Sequence, residues 1–331
     1  MAGKHFLIML ATCLVALVAQ IQSNPLETEV SSDLVNEKPR GLSKGSINDR
    51  KCSLLKNRYM SDVSLVVREH NGLEETNEII PGHKFILKVS STAFERAFKD
   101  KTKSESSFTV DQMSTETFEI LLKFIYCGKT ELTEDRLLDV FLASQVYELL
   151  ELTDHVAERL AKTITRENVF EIEEKVRSYP HPIVSEAISE VVQSLPTEAF
   201  NHDLAEKLRK NSVELILKQD TLQIAELDLF DFLLGWTRVQ AYRQGHNQGN
   251  SATGHVLRQT MGDLLHLIRI PALDSKAFLQ RIASFELFND QEVKDILYHQ
   301  LLDAKPVNGI VWKFKLEKRS CGQTIDQQYD Q

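Results

Sequence analysis

Ser61-Asp62-Val63-Ser64-Leu65-Val66-Val67, the break Pro81-Gly82, and His83-Lys84-Phe85-Ile86-Leu87 running into Ser90-Ser91-Thr92-Ala93-Phe94 decide the fold. The first run is rich in β-branched residues with partial alternation, the pattern of a half-buried strand. A polar stretch, Glu69 to Glu78, leads to Ile79-Ile80, and Pro81-Gly82 ends the extended segment. Phe85 to Phe98 then carries Phe94, Ala97 and Phe98 at helical spacing, with Ser90-Ser91-Thr92 as the cap. Phe108-Thr109-Val110 reads as a short strand, and Ser114 opens a helix with the apolar face Phe118, Leu121, Leu122 and Ile125, closed by Gly128. The apolar rhythm from Leu137 to Leu152 continues in one or two further helices. A few short strands followed by a run of helices define an α+β unit.

Working outward, strand signals vanish from Thr165 to Leu302. Amphipathic helices are expected at Val169–Val176, Val184–Val192, Val213–Leu217 and Leu227–Val239, so the second unit is all-α. Residues 245–254, rich in Gly, Asn and Ser, form its longest irregular break. No repeat of 20–50 residues is visible, which excludes propellers and solenoids.

Together these stretches resemble the BTB (POZ) domain over about residues 58–163, with Phe118 to Gly128 and Leu137 to Leu152 in the matching order. The helical half is similar to the BACK domain over residues 164–303. Its signature stretches are Ile164 to Asn168, Leu222 to Glu226, Leu229-Phe230, Leu233-Leu234, Trp236, and Leu265 to Pro271. The wording is that of BTB/BACK proteins without kelch repeats. The resemblance implies an α+β BTB domain followed by an all-α BACK domain, a non-enzymatic interaction scaffold that homodimerises. It further implies docking to a cullin, so that a ubiquitin ligase reaches a captured substrate protein. Only 304–331 follow the helical half, too short for a substrate-reading propeller.

The resemblance also assigns residues. Asp62 and Lys84 stand where BTB transcription factors pair an acid and a base near the dimer seam, and an ion pair that merely shapes the domain explains them equally well. The cullin-docking signature places an apolar residue two before a Glu. Here that Glu is Glu105, and Lys103, beside Thr102, occupies the apolar position. A charge cannot fill an apolar pocket without a desolvation cost. Leu229, Phe230, Leu233 and Trp236 share a helix and are expected to form the core of the helical half. His83, at a strand-to-helix junction, is expected to satisfy backbone groups, and Cys127 to pack as a small hydrophobe.

The chain has 331 residues, with 39 Lys+Arg against 48 Asp+Glu and a formal net charge of −9. That balance, with no basic stripe, argues against nucleic acid as partner. Four Cys without a C-x-x-C pair leave no zinc site and no dense disulfide framework. No H-E-x-x-H, G-x-S-x-G or G-x-G-x-x-G occurs, and Gly128-Lys129-Thr130 fails as a Walker A end because Lys123 stands where Gly is needed. No enzymatic activity and no cofactor are expected.

Residues 1–23 read as a secretory signal: Lys4 and His5, then the apolar run Phe6–Ala19, then Gln20 to Ser23. As a helix the run spans about 21 Å, short of the ~30 Å hydrocarbon core, so no stable membrane span is expected. If the signal is used, the chain is a secreted, oligomerising recognition protein similar to galectin-binding BTB/BACK glycoproteins. If it is not, the chain is cytoplasmic. An odd cysteine count after removal of Cys13, and no glycosylation sequon, weigh for the second. Residues 24–57 read as a disordered linker.

Overall fold

The computed structural model describes residues 45–71, 74–99, 106–111, 113–245, 253–302 and 310–321. Two compact units divide the chain between Val156 and Ala157. The signal-like segment 1–23 and residues 24–44 lie outside the described residues.

The first unit contains α1 (Ile47–Cys52), β1 (Val63–Asn71), β2 (Glu74–Gly82), α2 (Lys84–Ser90), α3 (Thr92–Ala97), β3 (Ser107–Val110), α4 (Thr115–Cys127) and α5 (Leu137–Val146). It ends in α6 (Leu150–Ala161), within which the division falls. The sheet order is β2-β1-β3, with β1 antiparallel to β2 and parallel to β3. Alternation places Val63, Leu65 and Val67 of β1 in the core, and Ile80, opposite Leu65, joins them. α4 buries the expected face, Phe118, Leu121, Leu122 and Ile125, and packs on β1. Ser114 caps its start by accepting from the Thr117 N–H, and Gly128, at φ 70°, ends it in the left-handed region. Gly82 is needed for space: a Cβ there would stand 3.0 Å from Val63 Cγ1 and 3.1 Å from Leu65 Cδ1.

The stretch Phe85–Phe98 is two helices rather than one. Ser91 is extended (φ −146°, ψ 122°), its hydroxyl accepts from the Phe94 N–H that opens α3, and it donates to the Tyr147 carbonyl at 2.6 Å. A local cap and a bond 56 residues away thus override the helical period. Arg96 and Thr92 of α3 both reach Glu148, tying the same two segments from the surface.

Part of the segment read as linker is ordered. Ser46 and Asp49 form a capping box for α1, which packs on α4. Cys52, the last residue of α1, is bonded to Cys127, the last of α4, with Cα atoms 4.5 Å apart. Lys56 and Glu119 add an ion pair beside it. Cys127 is therefore half of a disulfide and not the packed thiol expected. Nothing local announces a partner 75 residues earlier.

The second unit holds α7 (Val169–Val176), α8 (Pro182–Gln193), α9 (His202–Lys207), α10 (Lys210–Lys218), α11 (Glu226–Arg243), α12 (Gly254–Met261), α13 (Ser275–Arg281) and α14 (Asp290–Leu302), joined in part by 3₁₀ turns. α11 is its axis. Leu229, Phe230 and Leu233 are fully buried, and Trp236, 3% exposed, donates its indole N–H to the Leu208 carbonyl at 3.0 Å.

Two short strands interrupt the all-α expectation: β4 (Thr221–Leu222) pairs in parallel with β5 (Ser320–Cys321). Residues 310–321, which the sequence reading set apart as tail, pack on this unit, with Val311 and Phe314 buried. Arg319 anchors them. Its guanidinium donates to Glu226 at 3.0 Å and to the carbonyls of Gln219 (2.7 Å), Leu217 (2.9 Å) and Leu267 (2.9 Å). Arg269, also buried, bonds Asp220, the Glu317 carbonyl and, through its own N–H, Glu226.

Two stability measurements check this packing. Replacing Trp236 by Ala removes a filled aromatic site and should cost the helical unit roughly 3–5 kcal/mol in urea unfolding. A cost within about 0.5 kcal/mol would mean that the ring is not part of the core. Cys52→Ser should destabilise the first unit by about 4 kcal/mol under oxidising conditions, the loop-closure effect for this separation, and by much less with reductant present in both samples.

Candidate interaction surface

The site begins at the junction where β2 becomes α2. His83, buried, occupies the N-cap position of α2 without capping through its side chain. Its backbone N–H donates to the Tyr126 hydroxyl at 3.0 Å, and its ring Nε2 lies 2.9 Å from the Tyr59 carbonyl. A carbonyl can only accept, so Nε2 carries the proton and Nδ1 accepts from the Tyr126 O–H at 3.0 Å. One hydroxyl therefore serves as both acceptor and donor to the same residue. Burial pushes the Tyr126 phenol up to about 12, so it keeps its proton throughout the physiological range. His83 satisfies a backbone group, as expected, and a tyrosine as well.

Asp62 and Lys84 meet here, in a form the sequence could not specify. Asp62 is exposed, and its Oδ1 accepts from the backbone N–H of Lys84 at 2.7 Å. The carboxylate thus satisfies a free N–H in the first turn of α2 and sits at the positive end of that helix. The Lys84 ammonium stands 5.9 Å over the Phe98 ring.

This junction fixes which face of α2 looks outward. Leu87 is fully buried, while Phe85 and Val89, one helical turn apart, are 77% and 70% exposed. Met60, next to the carbonyl that His83 holds, is 74% exposed, and Ile79, on the outer face of β2 opposite Val66, is exposed too. These large apolar side chains, held outward by a buried hydrogen-bond network, form the candidate interaction surface. Phe85 and Val89 are not among the residues that the sequence singles out. Their spacing in Lys84–Ser90 was legible, but not which face of so short a helix is covered.

Thr102, Lys103 and Glu105, the cullin-docking candidates, lie outside the described residues. Leu229, Phe230, Leu233 and Trp236 come together in the helical unit. No described helix is long and apolar enough to cross a membrane.

Residues 53–164 match the BTB/POZ domain family. This stretch of the chain is a BTB/POZ domain, and proteins with that domain act as protein-interaction scaffolds. The chain is 25% identical over 265 residues to BTB/POZ domain-containing protein 6-A of Danio rerio, covering 80% of this chain and 48% of that protein. It is 26% identical over 275 residues to protein 6-B of the same organism, covering 83% and 55%. To human BTB/POZ domain-containing protein 3 it is 24% identical over 262 residues, covering 79% and 49%. The chain spans about half the length of these relatives. An alignment of 265 residues extends well past the 53–164 match and runs on into the helical unit. Among solved structures, the BTB domain of zebrafish PATZ1 aligns with 31% of this chain and 77% of its own, at 21% identity and a TM-score of 0.26.

Tyr126→Phe tests the junction. It leaves the His83 N–H and Nδ1 buried without partners, which should cost about 1–3 kcal/mol in urea unfolding of the first unit. A neutral result would show that the hydroxyl does not hold the junction.

Proposed function

We propose that this chain is a non-enzymatic BTB–BACK scaffold that homodimerises through its BTB/POZ domain and serves as substrate adaptor of a cullin–RING ubiquitin ligase. The observation that carries dimerisation is the outward pair Phe85 and Val89 on α2, with Met60 beside the same junction. Covering such side chains with a second copy removes apolar area from water, at about 25 cal/mol per Å². The BACK assignment is supported by the all-α core around Trp236 and by relatives whose similarity extends past the BTB/POZ domain. Sedimentation of the full chain at micromolar concentration should give a dimer. Phe85→Asp combined with Val89→Asp should give a folded monomer by circular dichroism, and a monomeric wild type would refute the assembly.

The cullin arm rests on family resemblance and meets resistance at Lys103. A cation in place of the apolar anchor weakens docking, because buried anchors carry most interface energy. Lys103→Met should strengthen cullin binding by roughly 1.5–3 kcal/mol in calorimetry. Tight binding by the wild type, or no gain from the substitution, would place docking on another surface.

A second reading rests on one observation, the bonded pair Cys52–Cys127. Disulfides persist in oxidising compartments and are rare in the cytosol. With the signal-like residues 1–23, the pair supports a secreted scaffold with the same dimer surface. N-terminal sequencing and thiol alkylation of the native protein separate the two. A start at Asn24 with both cysteines blocked favours export, and an intact Met1 with free thiols the cytosol.

A further inference from the structure

The Cys52–Cys127 bond joins two helix ends in the first unit, and both residues are half-buried, not sealed in the core. What it holds has little grip of its own. α1 is six residues long and has no buried side chain, and Ile47, its one large apolar residue, is 84% exposed. Its capping hydrogen bonds, between Ser46 and Asp49, are local: they shape the helix without fastening it to α4. The Lys56–Glu119 ion pair is partly open to solvent, a kind that contributes little. Leu54 and Leu55, which follow α1, are only half-buried. A helix this short does not persist in water without a tether.

The backbone marks where such a segment would swing. Lys56 has φ 58°, a left-handed conformation that is unfavourable for a residue with a side chain. Three residues on, the buried His83 ring holds the Tyr59 carbonyl at 2.9 Å, so the chain is fixed again from there. The segment is thus tied covalently at Cys52 and by an interior hydrogen bond at Tyr59, with a strained residue between the two ties.

We propose that residues 46–56 form a strap that opens and closes with the redox state of Cys52 and Cys127. A thiolate of a dithiol reductant attacks one sulfur, and the mixed disulfide is resolved by the reductant's second thiol. The Cys52–Cys127 bond breaks, its sulfurs take up two electrons and two protons as free thiols, and the reductant leaves as its own disulfide. α1 then leaves α4 and unwinds, Lys56 relaxes, and the end of α4 that carries Cys127 is uncovered. His83 keeps the chain from Tyr59 onward in place. Oxidised glutathione runs the exchange backwards and closes the strap. The switch requires neither a dimer nor a cullin, and its state follows the thiol poise of whichever compartment holds the chain.

Hydrogen exchange on the full chain, with and without dithiothreitol, tests this. In the oxidised protein the amides of Arg50 and Ser53, bonded to the carbonyls of Ser46 and Asp49, should be protected. After reduction they should exchange roughly tenfold faster or more, while β1 and α4 stay protected. Trypsin should then cut faster after Arg50 and Lys51, and oxidised glutathione should restore the closed pattern. Cys52→Ser combined with Cys127→Ser should show the open pattern without reductant and no further response to it, which excludes an effect through Cys13 or Cys321. Unchanged protection of α1 after reduction would overturn the proposal, because packing alone would then hold the helix. Loss of protection in β1 and α4 together with α1 would overturn it too, making the bond a staple of the whole domain. So would free thiols at both positions after glutathione oxidation.

Discussion

The Tyr126 hydroxyl is the point on which the first unit turns. It accepts the backbone N–H of His83 and donates to the same residue's ring, clamping the place where a strand becomes a helix against the far end of α4. In the buried interior such a network is strong when every member is satisfied, and here every member is. Asp62 adds the next bond along by accepting from the Lys84 N–H. With the first turn of α2 fixed, Leu87 must enter the core and Phe85 and Val89 must leave it. The outward apolar face of α2 is thus a by-product of interior hydrogen bonding, with no special surface pattern in the sequence.

The same helix α4 links this junction to the N-terminal segment. Tyr126 and Cys127 are neighbours, one facing the junction and the other bonded to Cys52. α1 is only six residues long and could not hold its shape by hydrogen bonding alone. It persists because a capping box starts it and a covalent bond ends it. The helical unit solves a similar problem with charge. Arg319 and Arg269 bring a distant strand and its flanks onto α10 and α11 through carbonyls and carboxylates that would otherwise be unpaired.

Local periodicity made much of this legible. Val63, Leu65 and Val67 alternate as a half-buried strand should, Ser114 and Gly128 bracket α4 as caps do, and Leu229 to Trp236 repeat at helical spacing. The rest depends on partners far along the chain. Ser91 breaks a helix because Tyr147 offers a carbonyl, and Cys127 is oxidised because Cys52 is brought beside it. Arg319 lies in a polar stretch with no period at all, and its contacts reach back as far as Leu217. The candidate site was half legible for the same reason. Asp62 and Lys84 do meet, but through a backbone donor that no side-chain pattern encodes.

Arg319 also sets an order of events during synthesis. A ribosome delivers the chain from its N-terminus, and domains generally begin folding as they emerge. The carboxylate of Glu226 and the carbonyls of Leu217 and Gln219 are made about a hundred residues before the cation that satisfies them. Until that residue emerges, the helical unit has a buried acid with part of its neutralising charge missing, a costly state to hold. Its final closure therefore waits until Arg319 has emerged, while the first unit can already be complete. A message cut short just before this codon would yield not a protein lacking a dispensable end but one whose second unit is poorly closed, a substrate for quality control.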